Sequence, residues 1–321
     1  MSLGAAVERG DVDELVRLAD GLADAREWAA VEELRDRCRE AVGRGKQLWG
    51  VAHWCTYRLA HGAPPELAAR QLAEPRSPLL PGPVTEILGV RHAWVDLEPA
   101  LPPGPDRSVV AHERGLRGDD VDPTTVDRSV VDIPIPPEPW EGSYPTVEYT
   151  TEGGSFDPPD LPELESVELS GAEPVPDEGA DALLDLARAW VTESAGRAES
   201  RCVEGDVTAA IGSFGLRHAR IAEVTPGEAM AWMAWLAASG GAYGTRRGGA
   251  AGRSAAWWTA AVLTGTDDAW PDAHAELGEA VGELRWYVWS DLAPDTGWVA
   301  RLAVEDPLDG LAWALMAVDA R

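Results

Sequence analysis

The residues with the clearest chemical potential form one loop, Gly240-Gly-Ala-Tyr-Gly-Thr-Arg-Arg-Gly-Gly-Ala-Ala-Gly-Arg253. It holds six glycines and three arginines, and no Asp or Glu occurs between Glu228 and Asp267. Glycine lets a backbone turn and approach a ligand closely. Arginine grips phosphate or carboxylate through two parallel hydrogen bonds. The loop also feeds the start of a helix, where free N–H groups favour an anion. Arg246, Arg247, Gly248, Gly249, Arg253 and Ser254 are therefore the candidate binding residues for a small phosphate or carboxylate. A structural reading competes and is preferred. Two apolar helices need a connector, and Arg246, Arg247 and Arg253 can pair with an acidic stretch earlier in the chain and fix it in place. The segment follows a helix instead of a strand and lacks Gly-Lys-Ser/Thr, so it is not a P-loop. Nor does it match the dinucleotide fingerprint.

Other chemistry is sparse, and no catalytic residue can be assigned. The six histidines are His53, His61, His92, His112, His218 and His274. None has a second His or a Cys four residues away, so no metal site and no cofactor is expected. His53 and Cys55 are two apart and point to different helix faces. His112-Glu113 could form an acid–base pair, but its Pro-rich acidic setting favours a solvated loop. No Gly-x-Ser-x-Gly nucleophile elbow occurs. Cys38, Cys55 and Cys202 fit no disulfide or zinc spacing and read as reduced core thiols of a cytoplasmic protein.

Charge narrows the partners. The formal net charge is −28. Residues 1–78 carry 11 basic and 13 acidic side chains, residues 79–180 carry 5 and 22, and residues 181–321 carry 11 and 20. Such a chain repels phosphate backbones, so nucleic acid is an unfavoured partner. No run of about 18 apolar residues suggests a membrane span. The first ten residues lack the basic start and apolar run of a secretory signal. One lysine stands against 26 arginines, a bias expected of a GC-rich bacterial genome.

Three regions must position these residues. Residues 1–75 read as four helices in antiparallel hairpins. Asp11 and Glu14 form a capping-box-like start. Val31, Leu34, Cys38 and Val42 share one helix face, as do Leu48, Val51, Cys55 and Leu59. Pro64-Pro65 suit the first turn of a shorter helix. The pattern resembles helical-repeat solenoids over about two hairpins. Residues 76–180 hold most of the 25 prolines, which disfavour helices and central strands. Extended segments are expected at 129–133, 145–150 and 166–169. Ile133, Ile135, Trp140, Tyr144 and Tyr149 argue for partial order in a connecting region. Asp-Arg-Ser-Val-Val occurs at 106–110 and again at 127–131, a coincidence more than a duplication.

Residues 181–321 hold 10 of the 15 tryptophans, whose spacing suits core packing. Thr225-Pro-Gly-Glu228 is a helix start, with Thr225 as cap, Pro226 at the first position and Glu228 returning the bond. The helix that follows has no polar side chain from Ala229 to Ala238, so it belongs in the interior, and Gly240-Gly241 stops it. Further helices are expected at about 250–263 and 272–284, and strands at 219–224, 286–289, 298–305 and 311–318. Asp306 to Gly310 reads as a hairpin turn. The fold class is α+β: N-terminal helical hairpins, a Pro-rich acidic middle with short strands, and apolar helices packed on a small antiparallel sheet.

The run from Thr225 to Gly244, with Arg246-Arg247, Ala255-Ala-Trp-Trp258 and Leu284-Arg-Trp-Tyr-Val-Trp289, resembles an uncharacterised actinobacterial family of unknown function. The resemblance lies mainly in the C-terminal half. It implies a bacterial cytoplasmic protein and supplies no activity. The expected role is a non-catalytic interaction or scaffold protein with a protein partner. The alternative is a protein or enzyme binding a small anionic ligand at the 240–253 loop. A third possibility is a regulator that masks a basic partner with its acidic middle.

Overall fold

The computed structural model describes residues 3–75, 77–271, 274–294 and 296–320. The chain divides into two compact units. One takes residues up to Val130 together with Val147–Ser155, and the other takes Val131–Thr146 and everything from Phe156 onward.

The first unit is helical. Its elements are α1 (Leu3–Arg9), α2 (Val12–Asp24), α3 (Trp28–Gly43), α4 (Trp49–Gly62), α5 (Pro65–Ala69), α6 (Val84–Arg91), α7 (Trp94–Leu97) and α8 (Pro105–Gly115). Asp11 caps α2 by accepting the Glu14 N–H, and Pro65 opens α5. The apolar stripes meet in one core that includes Leu15, Val31, Leu34, Cys38, Val51, Cys55 and Leu59. Buried polar groups are paired within it: Arg58 bonds Asp20 and Asp24, and Arg35 donates to Gln71 at 2.6 Å.

Helices α6 to α8 correct the expectation that the prolines of residues 76–180 would disfavour helices there. Pro105 sits in the first turn of α8, where its missing N–H costs nothing. Pro83 precedes α6 as its cap. The repeated pentapeptide is helical within α8 at 106–110 and non-helical at 127–131, so the two copies share no local structure. The segment 129–133 is not a strand.

A short antiparallel hairpin, β1 (Glu148–Thr150) and β2 (Gly153–Ser155), completes this unit. Tyr149 secures it. Its hydroxyl donates to the buried Glu86 carboxylate at 2.8 Å, and its carbonyl accepts from His61 Nε2 at 3.0 Å.

The second unit is α+β. It contains β3 (Glu165–Glu168), α9 (Glu178–Leu186), α10 (Arg188–Thr192), β4 (Arg197–Glu204), α11 (Val207–Gly212), β5 (His218–Val224), α12 (Pro226–Ser239), α13 (Gly249–Leu263), α14 (His274–Glu283), β6 (Arg285–Ser290), β7 (Trp298–Asp306) and β8 (Leu311–Asp319). The expected helix start at Asp272 and the His274 side chain lie outside the described residues. The strands form one sheet in the order β3-β5-β6-β7-β8-β4, antiparallel throughout.

Strand parity assigns the two faces of this sheet. Ile221, Trp289, Ala303, Ala312 and Ala314 pack with Ala210 and Ile211 of α11. The alternate residues face α9 and α12: Trp313 donates to Asp177 beside α9 at 2.6 Å, and Trp298 stacks on Trp235 of α12 at 5.3 Å. Both faces of β7 and β8 are covered, which explains their nearly continuous apolar runs. α12 is buried along its length, and α13 packs against it through Gly252, where a Cβ would overlap the Ala234 carbonyl.

Candidate functional site

The 240–253 segment is held at both ends by backbone geometry. Thr225 and Glu228 form a reciprocal capping box at the start of α12. Gly240 ends that helix in the left-handed conformation, φ +77°, which only glycine adopts without strain. Arg247 N–H then donates to the Ala238 carbonyl at 2.9 Å, turning the chain back. Gly248, φ +99°, leads into α13.

The middle of the loop is anchored by a carboxylate at the far end of the chain. Asp319 is fully buried at the end of β8. One of its oxygens accepts from the Ala242 N–H at 2.5 Å and from Ser194 Oγ at 2.6 Å, and Ser194 Oγ in turn accepts from the Tyr243 N–H at 2.9 Å. Gly241 is required there because a Cβ would collide with that same carboxylate. These charge-assisted bonds satisfy only one of its oxygens; Oδ1 is buried with no hydrogen-bond partner among the described residues.

The three arginines have three different fates. Arg253 and Glu141 are both 0% exposed and form an ion pair at 2.6 Å. Nε and Nη2 of Arg253 reach the two Glu141 oxygens, and Nη1 and Nη2 reach the carbonyls of Pro134, Ile135 and Pro136 at 2.6, 3.1 and 3.2 Å. A guanidinium has five N–H groups, and these five bonds use them all. Trp257 Nε1 and the Tyr144 hydroxyl also donate to Glu141, at 2.8 and 2.5 Å. Burial, reinforced by the Glu141 charge, pushes the Tyr144 hydroxyl well above the usual phenol range. Arg253 thus clasps residues 134–141 onto α13.

Arg247 is exposed and pairs with Glu193 at 2.5 Å. Arg246 lies with Cζ 3.6 Å from the centroid of the Phe156 ring, a cation–π contact. Gly248 is buried, Gly249 is the first residue of α13, and Ser254 is half-buried one turn further on. The six candidate residues therefore do not converge on one point. Arg253 faces the core while Arg247 faces solvent.

Glu141 and Asp319 were not among the candidates. A signal for Glu141 existed in its neighbours. Pro139-Trp140-Glu141-Gly142-Ser143-Tyr144 sets one acid among aromatic and small residues, and an arginine inside an apolar helix demands a buried counter-charge. No local signal marks Asp319.

His112 and Glu113 correct the expectation of a solvated loop: both are buried within α8. The three cysteines and three other histidines are chemically muted. Burial raises the Cys38 thiol to about 11 and the Cys55 and Cys202 thiols to about 12, far from the thiolate range that nucleophiles need. Burial likewise lowers His53, His61 and His92. Among the described residues, no group of three or more His, Cys, Asp and Glu side chains is placed to hold a metal ion, and no helix is long and apolar enough to cross a membrane.

A family model matches residues 13–319. The chain belongs to the DUF6183 family, a family of unknown function. The match begins inside α2, so the likeness read from the C-terminal half extends through the N-terminal helices, and the DUF6183 pattern runs across both compact units. No curated protein and no solved structure matches the chain.

Proposed function

We propose that this DUF6183 protein is a cytoplasmic bacterial interaction protein without catalysis, and that its acidic middle stretch receives a basic protein partner. One observation carries the proposal. Residues 129–187 hold fifteen Asp and Glu and no Lys, Arg or His. Asp157, Asp160, Glu163, Glu165 and Glu168 are all exposed. Holding like charges this densely costs self-repulsion, which a complementary cationic surface relieves while accelerating encounter. The muted cysteines support the absence of covalent catalysis, and their reduced state suits a cytoplasm.

The test is affinity capture from a lysate of the source organism. Two baits are used: the native chain and a chain with Asp157, Asp160, Glu163, Glu165 and Glu168 changed to their amides. A basic protein should be retained by the native bait at low salt, released by salt and lost from the amide bait. Equal retention by both baits, or no retained protein, would sink the proposal.

A second reading keeps the 240–253 loop as a small-anion site. It is favoured by the half-exposed guanidinium of Arg247, two residues before the start of α13, since the N-terminal end of a helix attracts an anion. With the Arg253 donors committed to Glu141 and the carbonyls, it rests on Arg246, Arg247, Gly248, Gly249 and Ser254. Exchange of chloride for phosphate at constant ionic strength should raise the melting temperature of the native chain and not that of Arg247→Ala. An equal response in both removes this reading.

A further inference from the structure

We propose that the outer edge of β3 is a docking strand for a basic, extended segment of the partner, which adds to the sheet as a seventh antiparallel or parallel strand. The inference rests on the proposal that the partner is basic, and it names the place and mode of binding.

Among the described residues, β3 is the end strand of the six-stranded sheet and pairs only with β5. The ladder register assigns its backbone groups. Leu169 N–H donates to the Arg217 carbonyl at 3.0 Å. In the observed register Glu168 lies opposite His218, Val167 opposite Ala219 and Ser166 opposite Arg220. Hydrogen-bonded and non-bonded pairs alternate along an antiparallel ladder. Val167 and Glu165 therefore share the Leu169 pattern and bond β5. Ser166 and Glu168 turn their N–H and C=O groups outward, away from the sheet. Two donors and two acceptors stand in line there, which is the template that strand addition uses.

Charge decides the occupant. Glu165 and Glu168 are exposed on the strand, and Glu163, Asp160 and Asp157 precede it, also exposed. A second copy of this chain is disfavoured. Pairing of β3 with a second β3 brings the exposed Glu163, Glu165 and Glu168 of one copy alongside the same three of the other. Six like charges gathered along one strand pair repel. A segment alternating Lys or Arg with an aliphatic residue meets the same edge favourably. With its aliphatic residues extending the half-buried row that Val167 begins beside α11, its cations fall on the other face with Glu168, inside the negative field of the exposed Glu163, Glu165 and Glu168. β4, the opposite edge, differs: Val175 already bridges to Cys202 there.

The test measures fluorescence anisotropy of a labelled alternating Lys-Val octapeptide against the full chain at low salt. Its analogue N-methylated at every residue has the same charge and no backbone N–H. The native chain should bind the unmodified peptide about tenfold or more tightly than the analogue, the loss expected for a few backbone hydrogen bonds. Ser166→Pro removes one outward N–H without touching the β5 ladder and should weaken binding of the unmodified peptide about as much. If Ser166→Pro does not fold, the comparison of the two peptides on the native chain decides alone. Equal binding of the two peptides overturns strand addition and leaves the basic-partner reading standing. A preference for the unmodified peptide that survives in folded Ser166→Pro overturns the assignment to β3. No binding of either peptide overturns both readings.

Discussion

Arg253 and Glu141, 112 residues apart, close an ion pair at 2.6 Å with neither side chain reaching solvent. The pair joins an acid from the Pro-rich stretch to the apolar face of α13. Removing one partner of a buried pair leaves an uncompensated charge, and such changes typically cost about 3–5 kcal/mol. Arg253→Met should cost at least that much, because three carbonyls at 134–136 lose their donor as well. Glu141→Gln should cost less than Glu141→Ala, since the amide oxygen still accepts from Arg253. The double change Arg253→Met with Glu141→Leu should recover part of the loss. Urea denaturation of the four variants measures this. A single variant within about 1 kcal/mol of the native chain would remove the clasp from the account of stability.

Two helical glycines predict opposite outcomes from the same substitution. Gly252 lies where α13 crosses α12, and a Cβ there would strike the Ala234 carbonyl and the Ala238 methyl. Both neighbours are buried helix atoms that cannot swing aside. Gly252→Ala should lower the melting temperature by several degrees. Gly21 lies in α2, exposed, and a methyl added there would meet no atom within 4 Å. Gly21→Ala should stabilise by about 0.5–1 kcal/mol through the lower backbone entropy of the unfolded chain. Thermal unfolding of both variants reads the signs directly.

Buried cysteines with raised thiols should be silent to reagents. Cys38, Cys55 and Cys202 are all buried and unpaired with one another. Burial pushes each thiol well above neutral pH. Ellman's reagent at pH 8 should therefore find no reactive thiol in the native chain within minutes, and three after denaturation. One fast thiol in the native chain would contradict the placement of that residue.

Local signals were legible in the sequence, and distant partners were not. Asp11 with Glu14 and Thr225 with Glu228 each define a helix start within four residues, and both caps form. The apolar runs at 229–238 and 311–318 need a buried environment whatever their partners are. Strand β4 carries no such signal, because Arg-Ala-Glu-Ser-Arg-Cys-Val-Glu mixes polar and apolar residues without a clean alternation. Its stability as a strand comes from β8, more than a hundred residues later in the chain. The pentapeptide Asp-Arg-Ser-Val-Val shows the limit most plainly. After Gly104-Pro105 it continues a helix, and before Ile133-Pro134-Ile135-Pro136-Pro137 it does not. The five residues are the same and only their settings differ: Pro105 opens α8 directly before the first copy, and Pro134, Pro136 and Pro137 follow the second. In the candidate loop, the connector and its arginines are plain from sequence. Which arginine would be spent inward depended on Glu141 and on the turn of α13, and neither is visible in residues 240–253.

The histidines of the helical unit predict how stability responds to acid. His53, His61 and His92 are held below the usual imidazole value, in each case first by burial, which penalises the charged ring. For His61, the nearby Arg91 and Arg58 add to the lowering, and the bond from Nε2–H to the Tyr149 carbonyl opposes it. For His53, Arg39 lowers and Glu74 raises. The unfolded chain protonates these rings near pH 6.5, and the folded chain only at lower pH. Between those points the unfolded state binds more protons, so stability must rise with pH. The contribution is complete above about pH 6.5 and is lost as the pH falls through the folded values. The thermal midpoint should therefore drop steadily from pH 7 to pH 5, before the exposed carboxylates begin to titrate. His61→Gln and His92→Gln should each flatten that slope, even where they lower the midpoint at pH 7. A midpoint that rises on acidification, or a slope untouched by both variants, would show that these rings are not held neutral by the fold.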